Sequence, residues 1–318
     1  MKLLQRLIPS GCALFTTAVG VATPGGPQFS WDAVKFVYSF GDSYSFVQGT
    51  RGTANFSFIG DAQNLAFTPE QLLTTEIVPR KTSSDGSNWL EFLTGCLEGL
   101  PTRCTRQLWD FAFAGADIDG NLLPLHHPFT VPLVEQVQQW AASAADVVPH
   151  PAGATLATWW IGINDTGDTV GNASITDFSA FWRAEMASYF AAVQTATEAG
   201  LRAHLFLNVP PEERAPGTLG DAAKAALLAQ NVGAFNAALA ESVAKFAEAN
   251  PDTTVVTFDA HAWFTAVLDD PLPFGFTNTT GFCTCADPTG FFWFDQGHPT
   301  AHVHRLLAQA VEARLRTA

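Results

Sequence analysis

Five apolar runs, each closed by turn residues and separated from the next by long segments of helical period, dominate the chain. They cover residues 35–40, 108–112, 156–161, 203–209 and 254–258. None alternates strictly between apolar and polar positions. Each therefore predicts a strand buried on both faces, as in a parallel sheet. Between them, residues 131–144 carry Val131, Leu133, Val134, Val137 and Trp140 at helical spacing. Residues 176–199 and 221–249 are Ala-rich and amphipathic, and they stop at Gly200 and at Asn250-Pro251. Glycine and proline are common helix stops. A last helix is expected from Pro299 to about Arg316. Proline suits the first helical position and holds the residue before it, His298, in an extended conformation. Strand–helix alternation of this kind predicts an α/β fold. The expected form is a three-layer α/β/α sandwich around a doubly wound, mostly parallel five-stranded sheet.

No internal repeat or linker divides the pattern, so residues 23–318 are expected to form a single domain. Residues 1–22 are set apart. Lys2 and Arg6 precede a short apolar, small-residue stretch, and Gly20 and Ala22 suit a cleavage site, which predicts a secretory signal and an extracellular protein. That stretch is broken by Pro9-Ser10-Gly11 and is short for a membrane span. No later segment is longer, so no stable membrane association is expected. The remainder has enough apolar residues, 47% over the whole chain, to bury a large core. The formal charge is −14, and no basic stripe exists. Nucleic acid and anionic membranes are poor partners for such a surface. Beyond Cys12 in the leader, Cys96, Cys104, Cys283 and Cys285 remain. An even number in a secreted chain suggests two disulfides. Cys96–Cys104 closes a short loop and is the first choice, leaving the tight Cys283–Cys285 ring. No Cys-x-x-Cys or histidine cluster has metal-site spacing, and no metal or cofactor is expected. Asn55, Asn172 and Asn278 begin glycosylation triplets.

The chemistry sits at two places far apart in the chain. The first predicted strand breaks at Gly41-Asp42-Ser43, where glycine permits a sharp turn and close approach of a substrate. Near the C-terminus the chain reads Asp295-Gln296-Gly297-His298-Pro299. A three-residue spacing lets the Asp295 carboxylate fold back onto one imidazole nitrogen and leaves the other for Ser43. That supplies a hydroxyl nucleophile, a base and a carboxylate that orients the base, as in acyl transfer. A nucleophile elbow would need Gly at position 45, where Ser45 stands, which disfavours the α/β-hydrolase arrangement. The other histidines are expected in loops, in a strand or on helix surfaces, with His302 and His304 on the flank of the last helix.

Gly41-Asp42-Ser43, Gly115 within residues 110–116, Gly162-Ile163-Asn164-Asp165 and Asp295-Gln296-Gly297-His298-Pro299 resemble, in order, the four blocks of the GDSL or SGNH hydrolase superfamily. Asn208-Val209-Pro210-Pro211 and Phe274-Gly275-Phe276 are similar to segments of fungal acetylesterases of carbohydrate esterase family 16. The resemblance implies a flavodoxin-like sheet, Ser43 as nucleophile, His298 as base and Asp295 as its orienter. The Ser43 N–H, the Gly115 N–H and the Asn164 side-chain amide are then expected to form an oxyanion hole. Two positions depart from the superfamily. Tyr44 replaces the usual Leu, and Asp110 replaces the usual Asn of the second block. Tyr44, Asp165 and Trp293 are candidates for substrate contact. Trp159, Trp160, Phe291, Phe292 and Phe294 also flank the blocks, and aromatic faces suit sugar rings. The expected activity is a secreted serine esterase acting on short acyl, chiefly acetyl, esters of oligosaccharides, and working as a monomer. A lipase-type enzyme for longer acyl chains and a non-catalytic glycan-binding relative are the alternatives.

Overall fold

The computed structural model describes residues 29–59 and 68–318, so the expected leader over residues 1–22 lies outside the described residues. The five apolar runs form β1 (Phe36–Gly41), β2 (Gln107–Asp110), β3 (Thr155–Trp160), β4 (Ala203–Leu207) and β5 (Thr254–Phe258). They make one parallel sheet in the order β2-β1-β3-β4-β5. Every residue of β3 and β4 is buried, which explains why these runs lack alternation. Aromatic rings cross the sheet in a row. Phe40 stacks on Phe111 at 5.7 Å and on Trp159 at 4.7 Å, and Trp159 stacks on Phe206 at 6.2 Å. Offset ring pairs of this kind contribute about 0.5–1.5 kcal/mol each beyond the area they bury.

Besides a short helix at Pro69–Leu73, the helices are α1 (Trp89–Thr94), α2 (Leu133–Gln139), α3 (Ile163–Asp168), α4 (Phe178–Glu198), α5 (Ala222–Ala249), α6 (Ala260–Asp269) and α7 (Ala301–Leu315). α1 packs on α7, while α4 packs on both α2 and α5, which gives the two outer layers. Capping sets the starts. Asp177 and Asp221 accept from the N–H groups of Ala180 and Lys224, so α4 and α5 begin one residue after them. The last helix starts at Ala301, two residues later than expected. Thr300 is still extended because its N–H and its hydroxyl donate to the Phe292 carbonyl. The expected helix over 131–144 runs from Leu133 and ends in a π turn, Trp140–Ala144, closed by Ala145 N–H on the Trp140 carbonyl.

Both cysteine pairs are bridged, Cys96 with Cys104 and Cys283 with Cys285. The expectation of His304 on a helix flank fails, whereas His204 lies in a strand as expected. His304 faces inward from α7 against Tyr44, and burial pushes its pKa down to about 3. His204, fully buried in β4, accepts from Trp159 Nε1 at 3.1 Å and is likewise pushed down to about 3 by burial. Both are neutral core residues. His261 lies in the first turn of α6.

Candidate active site

Three strand ends converge on Gly41. Its carbonyl accepts from the Phe113 N–H at 3.0 Å, just beyond β2, and it is in register with Trp160 at the end of β3. A Cβ on Gly41 would lie 2.2 Å from the Trp160 carbonyl oxygen, so no other residue fits there. Gln136 on α2 fixes the same peptide unit from the side: its Nε2 donates to the Gly41 carbonyl and its Oε1 accepts the Gly41 N–H, at 2.9 and 3.0 Å. The chain turns at once after Gly41. Asp42 Oδ1 accepts the Tyr44 N–H at 2.9 Å, and the Asp42 carbonyl accepts those of Ser45 and Phe46. This places Ser43 at the carboxyl edge of the sheet, where ligands of doubly wound folds bind.

The C-terminal loop meets it there. His298 Nε2 is 2.8 Å from Ser43 Oγ, and His298 Nδ1 is 2.9–3.0 Å from the two carboxylate oxygens of Asp295. Asp295 Oδ1 also accepts the N–H groups of Gly297 and His298, at 2.9 and 2.7 Å. Burial alone would raise the Asp295 pKa. The hydrogen bond and charge of His298, together with those two N–H groups, outweigh it and hold the carboxyl below its ordinary value. The His298 imidazole is thus oriented by a carboxylate that stays ionised. Such a chain can take the hydroxyl proton as Ser43 Oγ attacks a carbonyl carbon and return it to a leaving alcohol.

The groups expected to act as oxyanion donors are Ser43, Gly115 and Asn164. Gly115 adopts φ +81°, a conformation that favours glycine. Among the described residues neither its N–H nor that of Ser43 donates to a protein acceptor. Asn164, on α3, donates one amide hydrogen to the Ala116 carbonyl at 2.8 Å, which leaves the second for a ligand. One turn further along α3, Asp168 pairs with His126 Nε2 at 2.5 Å. The hydrogen bond and charge of Asp168 raise the pKa of His126. His126 stands over Gly115, since a Cβ there would lie 3.4 Å from its own Cβ.

Behind these donors the protein buries carboxyl groups. Burial raises the pKa of Asp42 to about 8 and raises those of Asp165, Asp117 and Glu185; the charge of Asp165 adds to Asp42, Asp117 and Glu185, and that of Asp168 adds to Asp165. Glu212, also raised by burial, accepts from Thr166 Oγ1.

The candidates for substrate contact divide differently from expectation. Tyr44 is buried, and its hydroxyl donates to the Gly297 carbonyl at 2.5 Å, so it ties the nucleophile turn to the base loop. Asp165 is fully buried and accepts from Ile118 N–H at 2.9 Å instead of from the Ser43 turn. Trp293 is buried too, with Nε1 donating to the Thr279 carbonyl. Trp159, Trp160 and Phe292 also belong to the core; only Phe291 and Phe294 of the group are half-buried. Asp110 spans the turn from beneath, accepting the N–H groups of Val47 and Ala112. Sequence analysis missed Gln136 and the His126–Asp168 pair. Gln136 had one available signal, a polar residue on the apolar face of an otherwise amphipathic helix. His126 and Asp168 lie 42 positions apart in the sequence, and nothing there joins them.

Known proteins resemble the chain along nearly its whole length. The family of GDSL-like lipases and acylhydrolases matches residues 37–311. An acetylesterase from Thermothelomyces thermophilus is 30% identical over 95% of this chain and 97% of its own length. Among solved structures, a GDSL-like lipase from Parabacteroides merdae aligns with a TM-score of 0.48 at 11% identity, over 91% of this chain and 98% of its own. An acetylxylan esterase from Geobacillus stearothermophilus aligns with a TM-score of 0.42 at 14% identity, over 90% and 95%.

Proposed function

The chain belongs to the GDSL-like lipase and acylhydrolase family, and from that premise we propose that Ser43 is the nucleophile of a secreted esterase that removes acetyl groups from oligosaccharides. The protein is a carboxylic ester hydrolase acting on acetyl esters, as its acetylesterase relative indicates. The observation that carries the assignment of residues is the continuous chain Ser43 Oγ–His298 Nε2 and His298 Nδ1–Asp295.

In the proposed cycle Ser43 Oγ attacks the acetyl carbonyl carbon while His298 Nε2 accepts its proton. The carbonyl oxygen becomes negative and takes hydrogen bonds from the Ser43 and Gly115 N–H groups and from Asn164. Donors fixed in place before reaction lower the barrier by about 3–4 kcal/mol each. Collapse breaks the bond to the alcohol, which leaves with the proton from His298. Water then attacks the acetyl-Ser43 ester with His298 again as base, and acetate departs. Asp295 holds the tautomer and stabilises the imidazolium.

Support for secretion comes from the leader composition of residues 1–22 and from two disulfides, which persist in oxidising compartments. Among the described residues no helix is long and apolar enough to cross a membrane. The mature protein is proposed to be the single domain 23–318, acting as a monomer.

A chain-length series of p-nitrophenyl esters tests the acyl preference. Highest kcat/KM is expected on acetate, and a maximum at octanoate or beyond would transfer the protein to longer acyl chains. With acetylated xylo-oligosaccharides, loss of acetyl signals in NMR is expected, and no loss would remove the saccharide as substrate. Ser43→Ala should reduce kcat/KM by about 10⁴-fold or more. Residual activity within tenfold of the parent would end the role of Ser43.

A further inference from the structure

We propose that Asp117, His126 and Asp168 bind one divalent transition-metal ion, of the Zn²⁺ or Mn²⁺ kind, behind the oxyanion donors. One ligand atom from each lies within 4.8 Å of the others. They come from two segments: Asp117 and His126 from the single loop 111–132 between β2 and α2, and Asp168 from the end of α3. Asp117 is fully buried, and neither of its carboxylate oxygens has a hydrogen-bond partner. A buried carboxylate without donors is costly and is normally paired or bound to a metal. Its neighbours deepen the deficit. Asp165 and Glu185 share a side-chain hydrogen bond with each other and offer Asp117 no donor, while their charges repel its own. Among the described residues no lysine or arginine forms an ion pair with any of these groups, and His126 on Asp168 is the one basic partner.

The donor set selects the ion. Two carboxylates and an imidazole suit Zn²⁺, Mn²⁺ or Fe²⁺ better than the all-oxygen preference of Mg²⁺ or Ca²⁺. Asp117 forms the floor, while His126 and Asp168 stand at the rim with side chains 29% and 35% exposed, which leaves space for water ligands. The ion would replace the proton held between His126 Nε2 and Asp168, and that proton passes to solvent. Two ties already join this loop to α3, Asn164 to the Ala116 carbonyl and Ile118 N–H to Asp165. A metal on Asp117 and Asp168 adds a third across the same seam, next to Gly115 and Asn164.

The experiment titrates ZnCl₂ and MnCl₂ into chelator-treated, full-length protein, with heat of binding and Tm as readouts. His298→Ala serves as the background, so that the base cannot offer its own imidazole. One equivalent of at least one ion is expected, with a rise in Tm. Asp117→Asn and His126→Gln in that background should weaken binding by about tenfold or more. His126 lies at the rim, so His126→Gln decides if Asp117→Asn fails to fold. No binding by the background protein, or unchanged affinity in His126→Gln, overturns the site.

Discussion

Two imidazole–carboxylate pairs flank Ser43, and they differ in what the second nitrogen faces. His298 has Asp295 on Nδ1 and Ser43 Oγ on Nε2. His126 spends Nε2 on Asp168 and has no nucleophile beyond it. Their carboxylates differ too. Asp295 sits three residues before its histidine and is locked by two N–H groups of the same loop. Asp168 reaches its histidine from a separate segment, at the exposed end of α3. A histidine beside a carboxylate is therefore no mark of a catalytic base. What makes the base is a local scaffold that aims one nitrogen at the hydroxyl.

The largest test of this contrast removes each carboxylate in turn. Asp295→Asn should lower kcat/KM by about 10⁴-fold, because the imidazole loses its tautomer and its counter-charge. Asp168→Asn should cost less than about tenfold. Equal losses in steady-state kinetics would erase the distinction. Because Asp295 is held below its ordinary pKa, the acid limb of the rate profile should show no ionisation in the ordinary carboxyl range. An ionisation in that range would contradict it. Next in size, Asn164→Ala should lower kcat by about 10²–10³-fold with KM little changed, since its amide acts on the developing charge. A change confined to KM would assign Asn164 to ground-state binding. Smaller again, Tyr44→Phe removes the bond to Gly297 and should reduce kcat by up to about tenfold, the worth of one buried hydrogen bond. An unchanged kcat would mean the base loop holds itself.

The smallest effect is read in stability. Asp42 is raised from the ordinary carboxyl range to about 8 by burial; Tyr44 and Ile163 N–H groups lower it, the Asp165 charge raises it and His126 lowers it. Protonated Asp42 contributes stability that is complete below about pH 4 and is lost as pH rises through about 8. Asp42→Asn carries no such ionisation. Relative to the parent, its Tm should gain roughly 5 °C between pH 5 and pH 8.5. Parallel Tm curves for the two proteins would show that Asp42 is already ionised when folded.

The five strands, the three long helices and the contact of Asp295 with His298 were legible because each is written locally: an apolar run, a 3.6-residue period, a three-residue spacing. Gly115 and Asn164 needed family resemblance, since a lone glycine and a lone asparagine carry no pattern. The errors share one cause. Tyr44, Asp165, Trp293 and His304 were expected at surfaces or against substrate, and all four are buried. A polar or aromatic side chain goes inside when the fold supplies it a partner, and that partner is distant in sequence. Tyr44 finds the Gly297 carbonyl 253 residues away. Asp165 finds Ile118 across 47. Sequence spacing is silent about such bonds, and so it also missed Gln136 and the seam between Asp117 and Asp168.

The bond from His298 to Ser43 crosses 255 residues and joins the end of β1 to a loop beyond the last strand of the sheet. All five strands, Gly115 and Asn164 are synthesised before Asp259. The strands of the sheet are thus complete in the growing chain while Ser43 still lacks His298. Asp295, His298 and the core face of α7, with Val303, Leu307, Val311 and Leu315, all come from the last two dozen or so residues, so a product shortened before Asp295 loses the partners of Ser43 and one outer layer together.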